Sequence, residues 1–493
     1  MHGPRDRTKS SFARVSFLQA AATLVTVVAS FLTVYALCRW CGAQPGPAIL
    51  AAILAMTLSR RAHPLRWSRT LTEPLAMACT ALAATGAAWL LHAIPLLGAV
   101  VFVAVMFLSV WLRNFGERER TIGTALALPL VVLLIAPARA NAPGGPLVDL
   151  ALVVCAGVVA LAYAQANARL SRRFGLAPAA AERAAAERAS LKRPGISVPT
   201  RMALQMAVAL SAAFAAGFLV FPDHWGWCVL TAFIVCSGAR GRGDAAYKGL
   251  LRLGGAVAGT LAAPALARIA VPSGIAHAVL IFVVLFFGLW LRAYGYAYWA
   301  ACITLVLALL SQSSGESEFA LLAVRLEAIL VGALCAVAAA WFVFPIRTEA
   351  VIRRRLADAL GALDGFVARE PHANGESKSE LALFEHRMTE LDSVAVPVRW
   401  HRRVFGSAGV PEHPALWIEL AHEVKQHARS FVPHDGAREK QRGAVRRAIG
   451  ASRRAIAEHG KADSTADELP VSVALRNLRD VLQATTKAPE AER

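Results

Sequence analysis

From Ser16 to Phe344 the chain alternates long apolar runs with short polar or basic loops. A membrane span needs about 20 mostly apolar residues, because ~30 Å of hydrocarbon is crossed at ~1.5 Å per helical residue. Lipid offers the backbone no hydrogen bonds, so such runs must be helices. The pattern predicts twelve of them: Ser16–Cys38, Gly46–Leu58, Leu71–Leu91, Ile94–Leu112, Thr121–Ala136, Leu147–Ala166, Met202–Phe221, Trp225–Ser237, Gly249–Val271, Ile275–Leu291, Tyr296–Leu310 and Leu321–Phe344. The second and eighth are short for a full span, which leaves tilted, re-entrant or turn-extended helices open. The first is too long for a signal-peptide core and lacks a cleavage site, so it reads as a span. The fold class expected is all-α: about twelve transmembrane helices followed by a helical domain.

Composition agrees. Of 493 residues 56% are hydrophobic and 17% charged, against about 25% charged in soluble proteins. The net charge of +19 invites a nucleic-acid reading, but its distribution argues against one. After Phe344, 24 basic residues face 21 acidic ones. The excess lies instead in alternate loops between spans, at Arg60, Arg61 and Arg66, at Arg113 and Arg118, at Arg172 and Arg173, and at Arg240 and Arg242. That is the positive-inside bias, and it puts both termini in the cytoplasm. The eight cysteines all precede residue 346, as suits a tail in a reducing compartment. Cys38 and Cys41 read as small interfacial residues, with a disulfide as the other option.

The apolar pattern also repeats. "WLRNFG" at Trp111 returns as "WLRAYG" at Trp290, and "GPAILAAIL" at Gly46 returns as "GWCVLTAFI" at Gly226. Both pairs are separated by almost the same length of chain. Six spans per repeat make the halves parallel, with a substrate path expected at their interface. Arg113 and Arg292 then end the fourth span of each half as interfacial anchors. The domains expected are 1–168 and 202–345 as membrane repeats, 169–201 as a cytoplasmic linker and 346–493 as a cytoplasmic helical domain.

"DHWGWCVLTAFIVCSGARGRGDAAYKGLLRLGGAVAGTLAAPALA", Asp223–Ala267, resembles the fusaric acid resistance, or aromatic acid exporter, family. Trp225, Trp227, Leu230, Thr231 and Ala232 fit its aromatic entry, and Arg252, Gly255 and Gly259 its next helix. "AVRLEAILVGALCAVAAAWFVFP", Ala323–Pro345, resembles the family's last span. The first half is more diluted, with Pro47 and Ala51 in place of Trp and Thr. The resemblance implies a bacterial inner-membrane exporter of aromatic carboxylic acids driven by the proton gradient. It also implies a periplasmic adaptor as a partner in some members. Larger members carry a soluble domain after each half, where this chain has only Arg169–Arg201.

An organic-anion exporter needs a cation, aromatic faces and a titratable group. Ionisable residues inside spans are the first candidates. For substrate binding these are Arg325, as a bidentate fork for a carboxylate, and Arg252, with Trp225 and Trp227 as stacking or gate residues and Thr231 as a hydroxyl. For proton coupling they are Glu327 and Asp149, because burial favours a protonated carboxyl. Each has a plainer reading: Arg325 as a helix tie, Arg252 as a snorkelling end residue, the tryptophans as an aromatic belt, Asp149 as a helix-dipole partner. No phosphate-binding G-x-x-x-x-G-K-[ST] occurs, and neither a metal site, a cofactor nor a catalytic triad is expected, so the chain does not read as an enzyme. In the tail, "RRRLADALGALDGFVA", "HPALWIELAHEVKQHARSFV" and "VSVALRNLRDVLQA" have helical periodicity and predict a bundle, with room for packing on a second copy of the chain. Two other functions fit the same pattern: a passive organic-anion channel, and a membrane anchor whose tail docks a partner.

Overall fold

The computed structural model describes residues 4–59, 86–87, 89–91, 93–116, 119–120, 122–123, 126–127, 130–131, 134, 146–174, 197–267, 275–312, 318–368, 376–404, 413–430, 438–456 and 470–491. The third and fifth apolar segments, Leu71–Leu91 and Thr121–Ala136, lie mostly outside them. The described residues are helical, with no strand among them. Among the described residues, five helices are long and apolar enough to cross a membrane: Arg14–Trp40, Pro95–Asn114, Ala151–Arg173, Val198–Val220 and Ala323–Phe342. Gly46–Leu58, Trp225–Cys236, Ala276–Leu291 and Tyr296–Leu310 are shorter apolar helices. The protein is therefore a polytopic helical membrane protein. Its residues fall into two compact units, one made of Met1–Ala177, Pro194–Ala239 and Ala245–Pro345, the other built mainly from Ile346–Arg493.

In the membrane unit the fully described helices are α1 (Pro4–Trp40), α2 (Gly46–Leu58), α3 (Pro95–Trp111), α4 (Pro146–Arg173), α5 (Val198–Val220), α6 (Trp225–Cys236), α7 (Arg242–Ala267), α8 (Ile275–Leu291), α9 (Tyr296–Gln312) and α10 (Glu318–Phe342). Proline opens several of them, where its missing N–H costs nothing: α2, α3 and α5 all have Pro in the first turn. Ser197 caps α5, its Oγ accepting from the Thr200 N–H at 3.3 Å. α2 and α6 stay short, at 13 and 12 residues.

Helices far apart in the chain pack together. α1, α2 and α4 pack on one another, as do α5, α6 and α10. α3 of the first half packs on α5 of the second, and α8 of the second packs on α1 of the first. Phe102 meets Phe214 at 5.4 Å in the one contact, and Phe31 meets Phe282 at 5.6 Å in the other. Two cores result. One joins α1, α2 and α4 to Val284 and Leu285 of α8 and to Leu305, Val306, Ala308 and Leu309 of α9. The other joins α5, α6 and α10 to Phe102, Met106 and Val110 of α3 and to Leu130 and Leu134. Neither half buries its own helices alone.

Lipid is as apolar as leucine, so helices in a bilayer associate through close packing rather than burial. Small residues permit it here. A Cβ on Gly332 of α10 would lie 2.2 Å from the Cys228 carbonyl of α6. On Gly259 of α7 it would lie 2.5 Å from the Ala301 carbonyl and 3.0 Å from Thr304 Cβ on α9.

The second unit packs α11 (Thr348–Ala368), α12 (Glu376–Val404), α13 (Pro414–Ser430), α14 (Arg438–Ile456) and α15 (Pro470–Ala491) around one apolar core. Trp417, Phe384, Met388, Leu363 and Leu478 are buried in it. The alternation of apolar and charged positions turns one face of each helix inward. Arg353 covers the Trp417 ring at 5.1 Å. Partial burial works against the Glu390 charge, but Arg355 at 2.7 Å and Arg387 at 2.9 Å outweigh it and hold the carboxyl below its ordinary value.

Candidate functional site

A cavity of about 740 Å³ lies within the membrane unit, walled by α1, α2, α3, α5, α6, α7, α8 and α9. Its wall draws on both cores and repeats with the sequence. Ile53, Met56 and Thr57 of α2 line it, and so do Phe233, Cys236 and Ser237, their counterparts in the repeat at α6 and its end. Ala127 and Val131 are likewise matched by their counterparts Val306 and Leu310. The short helices α2 and α6 thus face the same space. Most of the wall is apolar, and its chemistry comes from a few residues, chiefly Arg113, Arg252, His277, Tyr296 and Trp299.

Arg252 is 1% exposed. The close approach at Gly259, two turns further along α7, seats this helix on α9, and Arg252 Nη1 donates to Thr304 Oγ1 at 3.1 Å. Among the described residues, its Nε and Nη2 have no hydrogen-bond partner. Arg325 of α10 reaches the same threonine, with Nη2 donating to the Thr304 carbonyl at 3.3 Å. Its guanidinium sits 4.0 Å from the centre of the Trp227 ring, and its Nε is also unpartnered among the described residues. Thr304, in the middle of α9, therefore holds two buried cations, and among the described residues neither has a carboxylate partner. Burying an uncompensated charge costs several kcal/mol. An anion that accepts from the open N–H groups offsets that cost, and a carboxylate matches the guanidinium fork.

The structure sorts the sequence candidates. Arg252 is in the cavity wall. Arg325 and Trp227 form one contact behind Thr304 but do not line the cavity. Trp225 packs on Phe214 and Phe218, both at 5.5 Å. Thr231 is fully buried at the α6–α10 contact, 3.1 Å from where a Cβ on Gly332 would lie. Glu327 is exposed, close in sequence to buried Arg325 but on another face of α10. It therefore lacks the burial that recommended it for proton coupling. Asp149 belongs to α4, but its side chain lies outside the described residues. Arg113, expected as an interfacial anchor, turns into the cavity wall, and among the described residues its Nε has no partner. Arg292, its repeat mate, is exposed and lies 5.5 Å from the centre of the Trp299 ring.

Two wall or support residues have no equivalent in the sequence reading. Thr304 carries only the signal of one hydroxyl in an apolar run. His277 is 6% exposed in the wall, with Nε2 at 2.9 Å from the Leu309 carbonyl. A lone histidine at the start of an apolar helix is an equally faint signal. Among the described residues no three of His, Cys, Asp and Glu gather as metal ligands.

Residues 207–339 match the family described as fusaric acid resistance protein-like. The match takes in most of both motifs that resemble it, and it includes Arg252, Thr304 and Arg325. No curated protein matches the chain. The family match and the apolar helices together support a role in membrane transport or efflux rather than an enzymatic one.

Proposed function

We propose that the protein is a secondary-active exporter of small aromatic or other organic carboxylates across the bacterial inner membrane. In this reading twelve spans form two parallel six-helix repeats at 1–168 and 202–345, both termini are cytoplasmic, and 346–493 is a cytoplasmic domain. The substrate occupies the cavity between the two cores, its carboxylate on Arg252 and its ring against the apolar wall and Trp299. Arg325 supports Arg252 through Thr304, and Arg113 supplies a second cation in the wall.

The observation that carries this reading is Arg252. It is a buried guanidinium in the wall of a cavity large enough for an aromatic acid, with two N–H-bearing nitrogens unpartnered among the described residues. Small-ligand sites of this kind are mostly apolar with a few placed polar groups. For proton coupling, His277 is the wall residue best suited, since imidazole is the common proton carrier of the physiological range. Arg113, Arg252, Tyr296 and Cys236 are the other ionisable groups in that wall.

The test is growth of a deletion strain on a panel of aromatic acids, rescued by wild type or by Arg252→Gln at matched expression. Wild type is expected to restore growth on at least one acid and Arg252→Gln to fail. Equal rescue by both removes Arg252 from the reading, and no sensitivity to any acid removes export itself. In proteoliposomes, His277→Gln is expected to keep downhill flux and lose uphill flux driven by a pH gradient. Uphill flux at the wild-type rate would take the proton from another residue.

A further inference from the structure

Helix α14 contains a tandem heptad: "GAVRRAI" at Gly443–Ile449 is followed at once by "GASRRAI" at Gly450–Ile456, differing only at Val445 and Ser452. A heptad is close to two helical turns, so each position recurs on the same face about 10.5 Å further along. Val445, Ala448, Ile449, Ala455 and Ile456 are buried in the core of the second unit. The other face carries Arg446, Arg447, Arg453 and Arg454, all exposed, with Gly450 between the pairs and Gly443 before them.

This face lines a cleft of about 480 Å³, closed on the α11 side by Asp364. Asp364 is the one carboxylate in the lining, and Arg446 takes it, Nε to Oδ1 at 3.0 Å. Arg447, Arg453 and Arg454 have no ion-pair or hydrogen-bond partner among the described residues. Ordinary solvated helix faces mix the two signs, because opposite charges three or four apart stabilise a helix and like charges do not. The glycines point the same way. Glycine weakens a helix interior, so it needs a reason to be there. Packing supplies none: a Cβ on Gly443 meets nothing within 4 Å, and one on Gly450 meets only Arg454 Nη1 at 3.9 Å.

We propose that this cleft binds an anion carrying two or more phosphoryl groups. Arg447, Arg453 and Arg454 serve as forks for phosphoryl oxygens, and Gly443 and Gly450 leave the helix surface open to the ligand. Guanidinium matches phosphate bidentately, the spacing of the two arginine pairs suits separated phosphoryl groups, and the volume is that of a small-ligand site. The site is independent of the transport reading. Its natural phosphoryl groups belong either to a soluble nucleotide or polyphosphate or to anionic lipid headgroups.

The probes are inorganic tripolyphosphate and ATP, titrated by calorimetry into the full-length protein in phosphatidylcholine nanodiscs. Wild type is expected to bind. The triple variant Arg447→Gln/Arg453→Gln/Arg454→Gln should bind at least about 10-fold more weakly, as for lost hydrogen bonds to charged groups. Gly450→Leu, which fills the floor and keeps every charge, should also weaken binding. A control triple, Arg347→Gln/Arg354→Gln/Arg403→Gln, removes the same charge elsewhere in the unit and should bind like wild type. Tryptic cleavage after Arg447 and Arg453 separates the sources: protection in nanodiscs containing cardiolipin, whose headgroup carries two phosphates, without added phosphate assigns the site to lipid, and protection only by tripolyphosphate or ATP assigns it to a soluble ligand. Failure of wild type to bind either probe, or equal binding by the cleft triple and the control triple, overturns the proposal.

Discussion

The hexapeptides at Trp111 and Trp290 differ in two residues, yet they do different work. In the first, Arg113 faces the cavity and Asn114 is a clamp. Asn114 Nδ2 donates to the Trp111 carbonyl at 2.8 Å and to Thr200 Oγ1 at 3.0 Å, while Ser197 Oγ donates to its Oδ1. The end of α3 is thereby tied to the start of α5. In the second, Ala293 stands where Asn114 does and has no such side chain, and Arg292 turns outward over Trp299.

The same asymmetry holds for the halves as wholes. Both supply a short helix to the cavity and a set of apolar wall residues at equivalent positions. The buried cations at Thr304 come from the second half alone, from α7 and α10. Of the wall cations, the first half contributes Arg113. The two regions place apolar residues at equivalent sequence offsets in one cavity wall, while their polar residues differ. The lesson is physical: apolar wall positions tolerate exchange of one hydrophobe for another, whereas a buried guanidinium needs its partners built around it.

The largest test of the comparison is to separate the halves. Because α3 packs in the core of α5, α6 and α10, and α8 in that of α1, α2 and α4, a chain cut within residues 175–196 should yield no folded half alone. Co-expression of the two pieces should restore a monodisperse complex. A single half that runs monodisperse on size exclusion would break the crossed-core description.

Next come the arginines. Arg252→Gln should cost roughly 1.5–3 kcal/mol of substrate binding, or about 10- to 150-fold, as for a hydrogen bond to a charged group. Arg113→Gln should cost less, since the residue is only partly buried, and Arg292→Gln should leave the affinity near wild type. Binding to the three purified variants measures this order, and a larger loss at Arg292 than at Arg113 would reverse the assignment of the two copies.

Helix contact is third. Gly259→Leu should lower the thermal midpoint by overpacking the α7–α9 contact, at about 1–3 kcal/mol, and weaken anion binding as Arg252 shifts. An unchanged midpoint with unchanged binding would mean that α7 need not approach α9 so closely. The smallest effect is at the clamp. Asn114→Ala should destabilise by about 1 kcal/mol, while Ala293→Asn, lacking partners, should gain nothing. Equal shifts in the two would place no weight on the clamp.

Much of this architecture is legible along the chain. The apolar runs predict α2, α3 and α5 to within a few residues, and the end but not the start of α1, which begins at Pro4 rather than Ser16. The near-constant offset pairs Ile53 with Phe233 and Val131 with Leu310, and the structure puts all four in one cavity wall. The arginine of α7 and the glycines after it are visible as a motif. The roles of Arg113, Thr304 and His277 are not, and Arg325 and Glu327 look alike as ionisable residues until one is seen buried and the other exposed.

The linear order of residues by itself determined that the chain is helical, that it carries several runs long and apolar enough to cross a membrane, that some of its motifs recur at a near-constant offset, and that an amphipathic bundle follows. Each of these depends on run length, periodicity or identity at a fixed offset, all of which are properties of a line. Which face of a span looks inward was decided only by tertiary structure. A helix that is apolar all round presents the same surface to lipid as to protein, so its hydrophobic pattern cannot choose a direction. The choice falls to close packing at Gly259 and Gly332, and to the exchange of α3 and α8 between the cores. Those contacts turn Arg252 and Arg113 into the cavity and leave Arg292 outside it.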